Sequence, residues 1–212
     1  MKFTKAATIS MVTLVGMTIA LPLSAMAADP TPANTTADLV LEPGDDTIVN
    51  PPIDPIEPPT GATGDLTIDA VSNFQFDTHK IDTATATYTA TAKEGSVLGL
   101  QVTDKRGTGE GWNLSAKIST AFSDGTHDLK GAALSLPVGT LKTNNADQSN
   151  PPVSSALALN DQEGTVLNAP VDQGMGSWAE DFADGVKLVV PAGNYAGTYQ
   201  AGITWTLTNA PK

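Results

Sequence analysis

The 212-residue sequence predicts an all-β fold, a β-sandwich-like single domain with long polar loops and little helix. Three observations carry this. From Asp65 onward, apolar residues recur with a period of two, in short runs. Clusters of Gly, Asp, Asn and Pro separate the runs, and these are the residues that turns require. No window holds the apolar spacing of an amphipathic helix; "MGSWAEDFADG" (175–185) allows a short helical turn at most. Many short strands with Gly-rich turns indicate a β-sandwich or related β-fold.

Residues 1–27 read as a secretory signal peptide. Lys2 and Lys5 form a positive start, Ala6 to Leu23 is uncharged and mostly apolar, and Ala25 and Ala27 occupy the small-residue cleavage positions. An uncleaved anchor is the competing reading, weakened by Thr8, Ser10, Thr13, Thr18 and Pro22. No later apolar run approaches the ~20 residues a spanning helix needs, so the chain is expected not to span a membrane after cleavage. Residues 28–212 then form the mature domain. Within it, 36–43 holds Leu39, Val40 and Leu41, enough for one short strand that crosses back to the main sheet. Residues 44–64 form a Pro-rich, acidic loop or linker. Asp29 to Gly64 contains eight prolines, seven acids and no basic residue, and Asn50 to Gly64 is expected to be extended and solvated.

Residues 65–212 form the main β domain. "DLTIDAV" alternates Leu66, Ile68 and Ala70 against polar positions, and Ala84 to Ala92 alternates Thr and Ala around Tyr88. "SVLGLQVTD" places Leu98, Leu100 and Val102 on one face, opposite Val97 and Gly99. "GWNLSAKIS", "AALSLPVG", "SSALALN", "VKLVVP" and "GTYQAGITWTLTN" complete the set. Asn144 to Gly176 is polar and turn-rich and reads as long loops.

Charge and composition exclude several functions. The formal net charge is −12, and cleavage after Ala27 removes Lys2 and Lys5 to leave −14. Such a balance disfavours nucleic acid, and simple attraction to anionic lipids or teichoic acids. Cysteine is absent, which removes thiolate metal sites and a Cys nucleophile. The two histidines, His79 and His127, lie beside turn signals with no second ligand at metal spacing, and read as surface turn residues. The carboxylates in "DGTHD" and "EDFADG" do not match a calcium loop. No catalytic motif is present, so no catalytic residue, metal or cofactor is assigned. "LPVGT" (136–140) resembles a sortase signal with its last two residues reversed; 72 residues follow it, and it reads as a strand end and turn.

Two of the three tryptophans share one pattern. "GWNLSAK" (111–117) and "ITWTLTN" (203–209) each hold Trp, a spacer and Leu. Side chains at i and i+2 of a strand share a face. Trp112, Leu114, Ala116 and Ile118 therefore fall on one side, and Ile203, Trp205 and Leu207 do the same in the second segment. That is the pattern of half-buried core strands. The competing reading is an exposed platform on which a sugar stacks. Trp178, in "GSWAEDF", lies outside the strand pattern and is the exposed candidate if the other two are core.

These segments carry a resemblance. The chain resembles the WxL family, small secreted surface proteins of low-GC Gram-positive bacteria. "GDLTIDAVSNFQFDTHKI" (64–81) is similar to the family's opening block. "LQVTDKRGTGEGWNLSAKIS" is similar to its first motif, with Asp104, Arg106 and Gly107 preceding Gly111, Trp112 and Leu114. "AGTYQAGITWTLTNAPK" is similar to its closing motif, with Tyr199, Trp205, Leu207, Ala210 and Pro211. The resemblance implies non-covalent attachment to the cell wall, with peptidoglycan as the usual target. It implies partners among other WxL-locus surface proteins and a membrane-anchored protein with an extracellular binding domain. It implies a secreted, wall-associated location and no enzymatic activity. Trp112, Leu114, Trp205, Leu207, Tyr199 and Trp178 are the expected motif or ligand residues, with a structural role equally open.

Overall fold

A computed structural model describes residues 35–212. The signal peptide expected at 1–27 lies outside the described residues. Residues 35–45 carry no strand, and Leu39, Val40 and Leu41 are each at least 80% exposed. The short strand expected over 36–43 is therefore not formed, and its apolar triplet is exposed.

Leu41–Lys212 forms one compact unit of twelve antiparallel strands. They are β1 (Leu66–Val71), β2 (Ala86–Thr89), β3 (Gly99–Asp104), β4 (Trp112–Ser123), β5 (Ala133–Leu136) and β6 (Thr140–Thr143), then β7 (Val153–Ser154), β8 (Leu157–Leu159), β9 (Gly164–Ala169), β10 (Gly176–Asp181), β11 (Lys187–Val190) and β12 (Gln200–Thr208). Three four-stranded sheets result. Their orders are β1-β3-β10-β6, β2-β11-β5-β8 and β12-β4-β9-β7. No described residue is helical. The all-β, sandwich-like expectation holds.

One core is shared by all three sheets. Leu100 and Val102 come from the first, Leu134, Leu136 and Leu188 from the second, and Trp112, Leu114, Val166 and Leu167 from the third. Leu98, Leu100 and Val102 enter it together, as their alternation requires. Two segments depart from expectation. The stretch expected to turn or coil at 176–181 is strand β10, at the interior of its sheet. And β9 lies within the region read as loops, yet it pairs with β4 from Trp112↔Ala169 to Ala116↔Gly164.

The Pro-rich loop is not a solvated linker. It straps the outer face of the first sheet, where Ile56 is fully buried with Ala70 and Ala179, and Ile53 and Val97 pack around them. Ile56 bridges Val97 and Pro59 bridges Ala70. Prolines suit such a strap, because its extended backbone uses few N–H groups for pairing. Beneath it lies a buried carboxylate, Asp69. It accepts hydrogen bonds from Thr67 Oγ1 (2.6 Å), Thr103 Oγ1 (2.5 Å), Gln101 Nε2 (2.8 Å) and Asn50 Nδ2 (3.1 Å). Gln101 also takes the Ile53 N–H on its Oε1 at 2.6 Å. A buried polar group persists only when satisfied in this way, and the strap supplies part of the set.

Candidate functional site

The two Trp-x-Leu strands are neighbours. β12 pairs with β4 in a register that sets Leu207 opposite Leu114 and Trp205 opposite Ala116. β9 flanks β4 on its other side, setting Leu167 opposite Leu114. Position in the sheet then separates the two motifs. β4 is interior, and Trp112 and Leu114 are fully buried. β12 is an edge strand, and Trp205 and Leu207 are half-buried.

Trp112 is anchored at its polar end. Its indole N–H donates to Gly174 O at 3.0 Å, which satisfies the one donor a buried tryptophan carries. Gly111 must be glycine: its φ is 77°, and a Cβ there would stand 2.3 Å from Ala169 O. The Asp104–Arg106 turn braces the same spot. Arg106 donates from Nε to Asp104 Oδ1 (2.9 Å) and from Nη2 to Asp104 Oδ2 (2.7 Å), and Nη2 also reaches Gly111 O at 2.8 Å. Hydrogen bonding to Asp104 raises the guanidinium pKa above its ordinary value. This bidentate pair ties the end of β3 to the start of β4 and leaves no free fork for a ligand.

Trp178 is not exposed. It sits in β10 with 4% of its surface accessible, and its indole N–H donates to Met175 O at 3.0 Å. Strand pairing on both sides, with β3 and β6, places it in the interior of its sheet. It lines a cleft of about 290 Å³ together with Asn145, Asp147 and Asp172.

The remaining expected residues meet a different feature. An open groove of about 1430 Å³ runs past β2 and β12, each at the edge of its own sheet. Trp205, Ile203 and Phe122 lie on its apolar side, with Phe74 and Phe76 from the segment after β1. Tyr199 lines it too; its hydroxyl donates to Tyr195 O at 2.9 Å, and burial, then the nearby Asp124, raises its pKa. Two stacked pairs present rings to this groove: His79 and Tyr88 both line it, and of the second pair Tyr195 does. His79 stacks on Tyr88 with centroids 3.9 Å apart and planes 15° from parallel. His127 stacks on Tyr195 at 4.0 Å and 23°. Asp124 fixes the second pair: its Oδ1 accepts the His127 backbone N–H at 2.6 Å, its Oδ2 lies 3.5 Å from His127 Nδ1, and these bonds lower its pKa.

Among the described residues no group of three or more His, Cys, Asp or Glu side chains is placed to hold a metal. The groove offers stacking and hydrogen bonding. With this geometry in view, comparison with known proteins gives one result. A family model described as "WxL domain surface cell wall-binding" matches residues 28–211. The chain belongs to the WxL family. No curated protein and no solved structure matches it significantly. This WxL chain is thus of a kind associated with the cell surface and with binding of wall material. No helix among the described residues is long and apolar enough to cross a membrane.

The family's naming residues divide accordingly. Trp112 and Leu114 are core in this WxL domain, and Leu207 packs against that core. Trp205 and Tyr199 alone of the six expected residues line the groove. Phe74, Phe76, Tyr88 and Tyr195 also line the groove, although the sequence did not single them out for it, and both histidines lie in the turn segments expected for them, each stacked on a tyrosine. A usable signal was present: in a chain with 5% aromatics, each histidine's segment contains or adjoins an aromatic residue.

Proposed function

We propose that this WxL protein is a secreted, non-enzymatic surface protein, held non-covalently on the Gram-positive wall by binding peptidoglycan. The observation that carries the reading is the open groove, lined by Trp205, Tyr199, Tyr88 and Tyr195 on a strongly acidic chain. An acidic protein gains nothing from the anionic charge of a wall; it needs stacking and hydrogen bonds, and the groove supplies both. The test is retention of the chain from residue 28 on protein-free sacculi, read by co-sedimentation. Retention is expected, rising as pH falls toward about 4 and surface carboxylates neutralise. Protein that stays in the supernatant from about pH 4 to about pH 8 overturns the reading.

A second reading is favoured by β12. It is an edge strand of nine residues without charge or proline, and its outer main chain makes no backbone pairing among the described residues. Such an edge is a template for strand addition by a partner. In that case the chain is an assembly subunit of a membrane-anchored or larger WxL protein, and wall association is indirect. A pull-down with those partners' ectodomains tests it; binding to none of them removes it.

A further inference from the structure

We propose that the groove grips the glycan chain of the wall, rather than its stem peptides or its anionic polymers, with the two histidine–tyrosine stacks as sugar platforms; this rests on the peptidoglycan reading above. Both histidines of the chain are committed to one arrangement. In each, an exposed ring is backed by a second ring held in place. Tyr88 is half-buried in β2 behind the exposed His79. His127 is held by Asp124 behind Tyr195, which is 62% exposed. An aromatic face fixed in advance binds at a lower ordering cost than a free side chain. A pyranose presents a flat patch of C–H groups that covers such a face.

The polar complement also fits a sugar. Asn73, Gln75 and Gln200 line the groove with exposed side-chain amides that make no hydrogen bond among the described residues. An amide offers two donors and one acceptor, which suits hydroxyl and acetamido groups. Asn194 is different: its amide is already engaged with Lys130 and Pro191.

Charge narrows the ligand further. The acidic and basic side chains of the lining are Asp77, Asp82 and Lys80, with no arginine. Two carboxylates against one ammonium oppose a phosphate polymer, and likewise the carboxylates of a stem peptide. A largely uncharged polysaccharide meets no such barrier.

The experiment compares the full mature chain with Tyr195→Ala, His79→Ala and the double variant, on sacculi and on isolated wall fractions. Wild type is expected to bind uncharged oligomers of N-acetylglucosamine, which present the same acetamido pyranose rings as the wall glycan without the lactyl carboxylates that peptide removal exposes. Stem peptides should not compete, and stripping anionic polymers from the wall should not lower retention. Each single variant should weaken binding roughly two- to tenfold, and the double variant by more. Both side chains are exposed, so the melting temperature should not move, and Tyr195→Phe should bind as wild type. If wild type is retained and the double variant is retained equally, the stacks are not the platform and wall binding stands without them. Competition by stem peptides, or loss of retention with the anionic polymers, overturns the glycan assignment. If wild type is not retained at all, the peptidoglycan reading itself falls.

Discussion

Glu180 gives the most quantitative prediction. It lies in β10, fully buried, where the sheets meet. Its Oε1 accepts the Ser154 hydroxyl, from β7 of another sheet, and the Gly139 N–H at 3.1 Å, from the turn between β5 and β6. Its Oε2 is buried with no partner among the described residues. Burial raises its pKa from 4.5 to about 7, and the two hydrogen bonds only partly oppose that. The sign follows from linkage. Below pH 4.5 the carboxyl is protonated folded or unfolded. Between 4.5 and about 7 the unfolded chain ionises while the folded one holds its proton, so stability falls as pH rises. Above about pH 7 the full loss, about 3 kcal/mol, is in place. Across about pH 5 to about pH 8 the wild-type melting temperature should drop by roughly 5–10 °C. Glu180→Gln removes the ionisation. Its amide leaves an unpaired N–H where Oε2 was, at a pH-independent cost of about 1–3 kcal/mol. The decisive quantity is thus the slope. The variant's melting temperature should be nearly flat over this range, measured by circular dichroism or calorimetry. Equal slopes for wild type and variant would refute the reasoning.

Four further outcomes are expected. Trp112→Ala should cost about 3–5 kcal/mol and melt the domain by on the order of 10 °C or more, because the site is interior and the Gly174 bond is lost as well. Trp205→Ala, half-buried on an edge, should cost clearly less while reducing wall retention; equal melting temperatures for the two would contradict their different burial. Arg106→Ala leaves the Asp104 carboxylate buried without its partner and should cost about 3–5 kcal/mol by chemical denaturation, and Arg106→Lys should rescue little because the two-point fork is gone. Ile56→Ala should cost about 2 kcal/mol or more and expose the Pro-rich strap to limited proteolysis, whereas resistance equal to wild type would mean that Ile56 does not hold the strap down.

The sequence by itself determined the strands and their inward faces. Side chains two residues apart must share a face, so Trp112, Leu114 and Ala116, like Leu98, Leu100 and Val102, were bound to enter a core together. The motifs around the two tryptophans also identified the family. Tertiary structure decided what covers the opposite faces and which strands lie at an edge. Thr67, Asp69, Gln101 and Thr103 alternate as a water-facing surface would, yet all four are buried, because the strap from residue 50 onward lies over them. Alternation is a local signal and cannot tell a polar face covered by protein from one covered by water. For the same reason β10 hid behind its acids and glycines, since Glu180 looks like a surface residue until a neighbouring sheet closes over it. The groove lies furthest beyond sequence reading. It joins Phe74 to Trp205 across most of the domain and exists because β2 and β12, equivalent by periodicity to other strands, end up without an outer neighbour. Whether a half-buried tryptophan becomes core or a binding surface depends on whether a further strand pairs beside it, and only the assembled sheets decide that.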